Sequence, residues 1–262
     1  MLILAHATFL CAGFCYLAAL IAAFLPPRWA LVPKALLIPA LACNLVTVAV
    51  RYYQAWPMLP MHLGAEALPF CLGLLALAAV SGSQPGGRVV QRLVLGAIVC
   101  LMAAALCFPK DFYLPFLKSK TLLSHGFLWF GLFAKGSCAL SAAWALCAWP
   151  FSSTVSDEAR QPSAALQRSL RWAALGFGLW TVSMFCGELW CYLGWGTPVV
   201  WEDPALTLTM AGWFFYACVL HLHLAKTRNL QFRAIFVGIG GLLVLGLSCL
   251  PDFGPFRTPF LP

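Results

Sequence analysis

The chain alternates long apolar runs with short polar connections, and the runs fall near 2–25, 31–50, 63–82, 90–108, 122–149, 169–193, 205–225 and 233–250. A helix needs roughly 20 apolar residues to cross a hydrocarbon core of about 30 Å, and these runs are of that length. The pattern predicts an all-α, polytopic membrane protein of about eight transmembrane helices, forming a single integral membrane domain over residues 1–262. The longest polar stretch, 151–168, reads as a linker between spans, and no internal repeat or domain boundary shows. No Lys or Arg precedes the first run and Arg28 follows it, so it reads as a span rather than a cleaved signal peptide.

Composition agrees: 62% of residues are hydrophobic and 9% charged, where a soluble domain carries about 25% charged residues. The distribution of cations then gives a direction. Arg28, Lys34, Arg88, Arg92, Arg160, Arg168, Arg171, Lys226, Arg228 and Arg233 follow spans 1, 3, 5 and 7. Only Arg51, Lys110, Lys118, Lys120 and Arg257 lie on the opposite side. Basic loops stay cytoplasmic, so both termini are expected outside. The setting expected is a bacterial inner (plasma) membrane, with the connection between spans 6 and 7 on its periplasmic, outer side. The formal net charge of +8 belongs to loops against lipid headgroups and calls for no nucleic acid.

Twelve cysteines are scattered one or two per apolar run, with no CxxC and no CxxCH. They read as small apolar residues inside helices, neither a c-type haem attachment site nor a dithiol pair.

Polar groups inside spans are costly and mark candidate functional positions. The histidines are His6, His62, His125, His221 and His223. The topology sets His6, His62 and His125 near outer span ends. His221 follows Asp203 by 18 residues, roughly 25 Å deeper along a helix, in the cytoplasmic half. Neutral imidazole is the usual protein ligand of haem iron, so His125 and His221 are candidate ligands, at two separate sites because they lie on opposite sides of the bilayer. A structural role for either is an equal alternative. Glu66 and Glu188 could orient a histidine or a polar group of a haem, or each could pair with Arg51 or a backbone amide. Lys135, ten residues below His125, lies deep enough to need a partner or a wet cavity.

The stretch 188–204, ELWCYLGWGTPVVWEDP, concentrates Trp190, Trp195 and Trp201 with Tyr192 and Asp203. It is read as a tryptophan-rich outer loop. An interfacial aromatic belt would explain it, and so would a flat platform for a porphyrin.

At this loop the chain resembles the tryptophan-rich ("WWD") haem-handling family, most closely the CcsA/ResC branch of cytochrome c assembly proteins. Asp203, Pro204, Trp213, Tyr216, Ala217, Leu220 and His221 fall in register with the family's pattern. Gly187, Trp190, Trp195 and Gly196 correspond upstream. Pro115, Leu117, Ser119, Leu122 and His125 match the segment of its first outer haem-ligating histidine, and Pro60 and Glu66 echo a signature before span 3. The loop is degenerate, with Val199 and Val200 before Trp201, and residues 249–262 hold no histidine where the family carries an HSY motif.

The resemblance implies haem b reaching an outer site, held there against the tryptophan-rich loop and joined to apocytochrome c. On this carry-over His125 and His221 ligate haem iron, and Trp190, Trp195, Trp201, Asp203 and Trp213 belong to the haem-binding surface. His62, beside Pro60 and one turn from Glu66, is the internal candidate for the second outer ligand. A ResB/CcsB-like membrane subunit and a thioredoxin-like protein are the implied partners, in a cytochrome c haem lyase complex. A HemX-like accessory protein of haem metabolism, a b-type membrane cytochrome subunit and a haem-free permease are the competing readings.

Overall fold

The computed structural model describes residues 2–56, 63–80, 86–107, 121–148, 162–198, 204–225 and 230–253. They form eight α-helices: α1 (Leu2–Ala22), α2 (Val32–Ala55), α3 (Leu63–Ala79), α4 (Gly87–Cys107), α5 (Leu122–Cys147), α6 (Pro162–Trp195), α7 (Pro204–Ala225) and α8 (Leu230–Phe253). A 3-10 turn, Pro27–Trp29, joins the first two. Among the described residues there is no strand. Five helices are long and apolar enough to cross a membrane, and α3, α7 and α8 contain shorter apolar segments. The chain is an all-α, multi-pass membrane protein.

All eight expected runs are helical, and the differences lie at the ends. Helix α6 starts at Pro162, within the stretch expected to be a linker. Proline suits a first helical turn, where its missing N–H is not needed, and Ala165, Leu166 and Ser169 bury one face of the added turns. At its other end α6 runs through Glu188–Trp195, so half of the expected tryptophan-rich loop is helix. It stops at Gly196, whose φ of +73° is the left-handed conformation that ends a helix and that glycine adopts without strain.

Helix α5 is the centre, packing against α3, α4, α6 and α8. Two thirds of its apolar window is buried (67%), against 28–39% in the other four membrane-length helices. Its buried positions are mostly small: Ala134, Gly136, Ser137, Cys138, Ser141, Ala142, Ala143 and Ala145. Small side chains let helix backbones approach in a lipid environment, where packing and interhelical hydrogen bonds drive association.

The hydrogen bonds are present. Ser169 Oγ donates to the Ser141 carbonyl at 2.8 Å, Ser183 Oγ to the Phe127 carbonyl at 2.7 Å and Tyr216 Oη to the Cys138 carbonyl at 3.3 Å. These side chains tie α6 and α7 to the backbone of α5. At the opposite edge Thr8 and Thr47 hydroxyls meet at 2.8 Å and join α1 to α2. Arg92 Nε donates to the Ala23 carbonyl at 3.0 Å and Arg88 to that of Leu25, so the first turn of α4 closes the chain leaving α1. The cysteines with described side chains are free thiols, distributed along the helices.

One of the tightest approaches joins α7 to α6. A Cβ on Gly212 would lie 2.6 Å from two ring atoms of Trp180, an indole with no exposed surface. Gly212→Ala is expected to destabilise the bundle by about 1–3 kcal/mol, the usual range for overpacking, read as a lower thermal unfolding temperature in detergent.

Candidate functional site

The site is built at the start of α5. Thr121 caps the helix, its side chain accepting from the Ser124 N–H, while Ser124 Oγ returns a bond to the Thr121 carbonyl at 2.7 Å. Such reciprocal capping satisfies groups that helical bonding leaves open, and it fixes the first turn. His125 sits in that turn and is buried at 8% exposure.

The imidazole is held by α2. Tyr52 Oη and His125 Nδ1 are hydrogen-bonded, and the Trp56 ring stacks on the imidazole at 5.2 Å and 27°. Tyr52 lies in the last turn of α2 and Trp56 caps that helix, its N–H bonded to the Tyr52 carbonyl, and their rings meet at 6.0 Å. Trp129, one turn beyond His125 on α5, closes the group at 6.2 Å from the Tyr52 ring. With Nδ1 engaged, any metal bound by this histidine meets Nε2. That division of labour, one ring nitrogen for the metal and one for an orienting partner, is the usual one at metal-ligating histidines. The residues present thus fit a haem iron ligated by His125.

Beside this cluster an ion pair links α2 to α3. Arg51 Nη2 and Glu66 Oε1 stand 3.1 Å apart, with side chains 13% and 11% exposed. Among the described residues, Glu66 pairs with Arg51. One turn further, Pro69 interrupts α3. The buried Asn44 amide, with its NH2 toward the Glu66 carbonyl at 3.1 Å and its oxygen toward the Phe70 N–H at 3.2 Å, bridges the backbone there. Buried backbone polar groups need partners, and Asn44 supplies them to the Glu66 carbonyl and the Phe70 N–H, the pair next to the proline.

The other expected site residues fall apart from this cluster. His62, Trp201 and Asp203 lie outside the described residues, as does the Trp195 side chain. Trp190, on α6, packs at 6.3 Å against Phe127, two residues from His125. Trp213 stacks on Phe177 at 5.1 Å and its indole N–H donates to Thr181 Oγ1 at 2.8 Å, so its ring fastens α7 to α6. His221 lies on an exposed part of α7, with its Nδ1–H donating to the Ala217 carbonyl at 2.9 Å. His6 is exposed on α1. Among the described residues no three His, Cys, Asp or Glu side chains gather as a metal-ion site.

Sequence reasoning missed Tyr52 and Trp56. Their four-residue spacing beside Arg51 was the available signal, but their partner lies 73 residues away and only the fold unites them.

These features define a multi-pass, all-helical membrane protein with a buried, oriented histidine in the first turn of α5. The comparisons narrow that class. The family model described as cytochrome C assembly protein matches residues 1–250. The chain belongs to this family, and with it to cytochrome c biogenesis. Among curated relatives it is 35% identical over 77 residues to the cytochrome c biogenesis protein CcsA of Prochlorococcus marinus (strain MIT 9301), covering 29% of this chain and 25% of that protein. It is 27% identical over 177 residues to CcsA of Agrostis stolonifera, covering 64% of this chain and 53% of the relative. The CcsA of Zea mays is 31% identical over 100 residues, 35% of this chain and 30% of the relative. The matches thus span between a quarter and about half of the relatives' lengths.

Arg51→Met removes the counter-ion of a carboxylate that is nine-tenths buried. Breaking such a pair costs about 3–5 kcal/mol, whereas the double change Arg51→Met with Glu66→Gln is expected to recover part of the loss. Thermal unfolding of the two variants in detergent measures the difference.

Proposed function

We propose that this protein moves or presents haem b at the outer face of a bacterial inner membrane, for attachment to apocytochrome c within a cytochrome c haem lyase complex. The observation that carries the reading is the buried, oriented imidazole of His125 in a chain of the cytochrome c assembly family. Bound haem would supply an iron with an axial position for Nε2. The protein's part is to hold that nitrogen in place: Tyr52 sets the ring rotation through Nδ1, Trp56 covers one imidazole face, and Trp190 lies on the neighbouring helix as an aromatic surface. Trp195, Trp201 and Asp203 complete that surface in the proposal, and His62 is the proposed second axial ligand.

His221 serves a different site. It belongs to an exposed stripe of α7, with Ala211, Phe214, Cys218 and Leu224. A neutral imidazole that donates from Nδ1 carries its lone pair on Nε2. An imidazole in apolar company on an outer helix face suits an interface with a second membrane subunit, here the ResB/CcsB-like partner, which would cover the stripe and share a haem. Apocytochrome c and a thioredoxin-like protein that keeps its thiols reduced complete the proposed set.

Two measurements test this. Purified protein expressed with ample haem is expected to show a Soret band that His125→Ala removes and added imidazole partly restores. Tyr52→Phe is expected to weaken haem retention by roughly tenfold, the lower end of what losing an orienting partner costs, with the band still present. Wild-type protein without Soret absorption would overturn the haem reading. For orientation, reporters fused after residue 253 are expected to be active only outside the cytoplasm, and cytoplasmic activity would reverse the topology.

A further inference from the structure

A cleft of about 310 Å³ lies at one end of the bundle, where α3 and α5 finish and α6 begins. Its lining is Ala79 at the end of α3, Trp144 near the end of α5, and Arg168, Arg171, Trp172 and Leu175 on α6. Spacings of three and four residues make the α6 members surface neighbours, so two indoles and two guanidiniums surround one hollow. The Arg168 guanidinium lies over the Trp144 ring at 4.8 Å. That indole is fully buried, so Arg168 rests on a fixed aromatic floor. Arg171, one turn on, is exposed. Basic connections gather on the cytoplasmic side of a membrane. That tendency explains the side on which these cations stand, and not their convergence with indoles on a cavity.

From the cleft an apolar track runs along the outside of α6. Leu175, Val182 and Phe185 are exposed, and a Cβ on Gly178 would meet open space. With Arg171 they recur every three or four residues, which makes one stripe of the helix. Helix α6 is long and apolar enough to cross a membrane, so the stripe lies against acyl chains. The geometry points to a binding site for an anionic phospholipid: Arg168 and Arg171 take the phosphate, and one acyl chain follows Leu175, Gly178, Val182 and Phe185. Guanidinium forks match phosphate oxygens. Each carries five N–H donors, so Arg168 can meet an anion while it is held by Trp144 and by other neighbours. Two cations facing one phosphate favour a headgroup with net negative charge, of the kind that the cytoplasmic leaflet supplies. The stripe favours a lipid, since a free phosphate has no use for it. The site owes nothing to the haem reading: Trp144 stands nineteen residues from His125 on α5, roughly 28 Å along the axis.

The test uses the full chain in maltoside detergent, titrated with dioleoylphosphatidylglycerol or dioleoylphosphatidylcholine, with bound lipids counted by native mass spectrometry. The first phosphatidylglycerol is expected to bind wild type roughly tenfold more tightly than phosphatidylcholine. Arg171→Gln is expected to weaken phosphatidylglycerol binding by roughly tenfold, the value of one charge-assisted hydrogen bond. Its lipid-free unfolding temperature should stay that of wild type, because the side chain is exposed. Arg171→Lys keeps the charge and should keep most of the affinity.

Arg28→Gln serves as the control for general surface charge, since it removes a cation from the turn between α1 and α2, outside the cleft lining. It should bind phosphatidylglycerol as wild type does. Glycerol 3-phosphate, which offers a phosphate without acyl chains, should leave the lipid bound even in large excess. Equal affinity for the two lipids, a loss with Arg28→Gln as large as with Arg171→Gln, or no lipid bound to wild type overturns the proposal. Displacement by glycerol 3-phosphate at the lipid's own concentration would assign the cleft to a soluble phosphate and overturn it equally.

Discussion

Close approach of neighbouring backbones to α5 is the constraint on which the rest of this molecule depends. Lipid offers no hydrophobic force between helices, so a bundle coheres only where small residues let van der Waals surfaces meet and side chains find partners across the gap. Helix α5 is built for this, with a run of Ala, Gly, Ser and Cys on its buried faces. Ser169, Ser183 and Tyr216 reach from α6 and α7 to its carbonyl oxygens. A helix held from several sides can carry polar side chains that an isolated span could not. Both His125 and Lys135 are on it.

The histidine cluster follows from this arrangement. The capped first turn of α5 is brought beside the C-terminal end of α2, where the rings of Tyr52 and Trp56 meet. Burial of the imidazole is then tolerable because Tyr52 supplies its hydrogen bond. The Arg51–Glu66 pair and the Asn44 bridge anchor α2 to α3 within the same region, so the groups that aim the imidazole have little freedom to drift.

Much of the fold is legible in the sequence because hydropathy reports contact with lipid directly. The eight runs and the eight helices coincide to within a few residues at most ends. The exceptions have one cause: hydropathy detects apolarity, and helicity continues past it. The polar turn Ser163–Arg168 is helical although its composition predicts a linker, and the helix carries on past the apolar run 169–193 to Trp195, inside the stretch 188–204 expected as a loop. The site was half legible. His125 stands out as a histidine at a span end, matched to a family segment, and Glu66 as a carboxylate with Arg51 within reach. Tyr52 and Trp56 do not stand out, because aromatic residues at a span end ordinarily signal only the membrane interface. Trp213 illustrates the converse, a residue in register with the family pattern whose ring is engaged between α6 and α7.

Helix α6 has 34 residues, about 51 Å at helical rise, against a hydrocarbon core of about 30 Å. It must overhang the bilayer or cross it obliquely. Its two ties to α5, at Ser169 and Ser183, stand roughly 21 Å apart along the rod. A rod fastened at two separated points cannot swing about either, so its direction is inherited from α5. Trp190 lies beyond the second fastening, and its place at the far end is therefore set by the central helix rather than by the lipid.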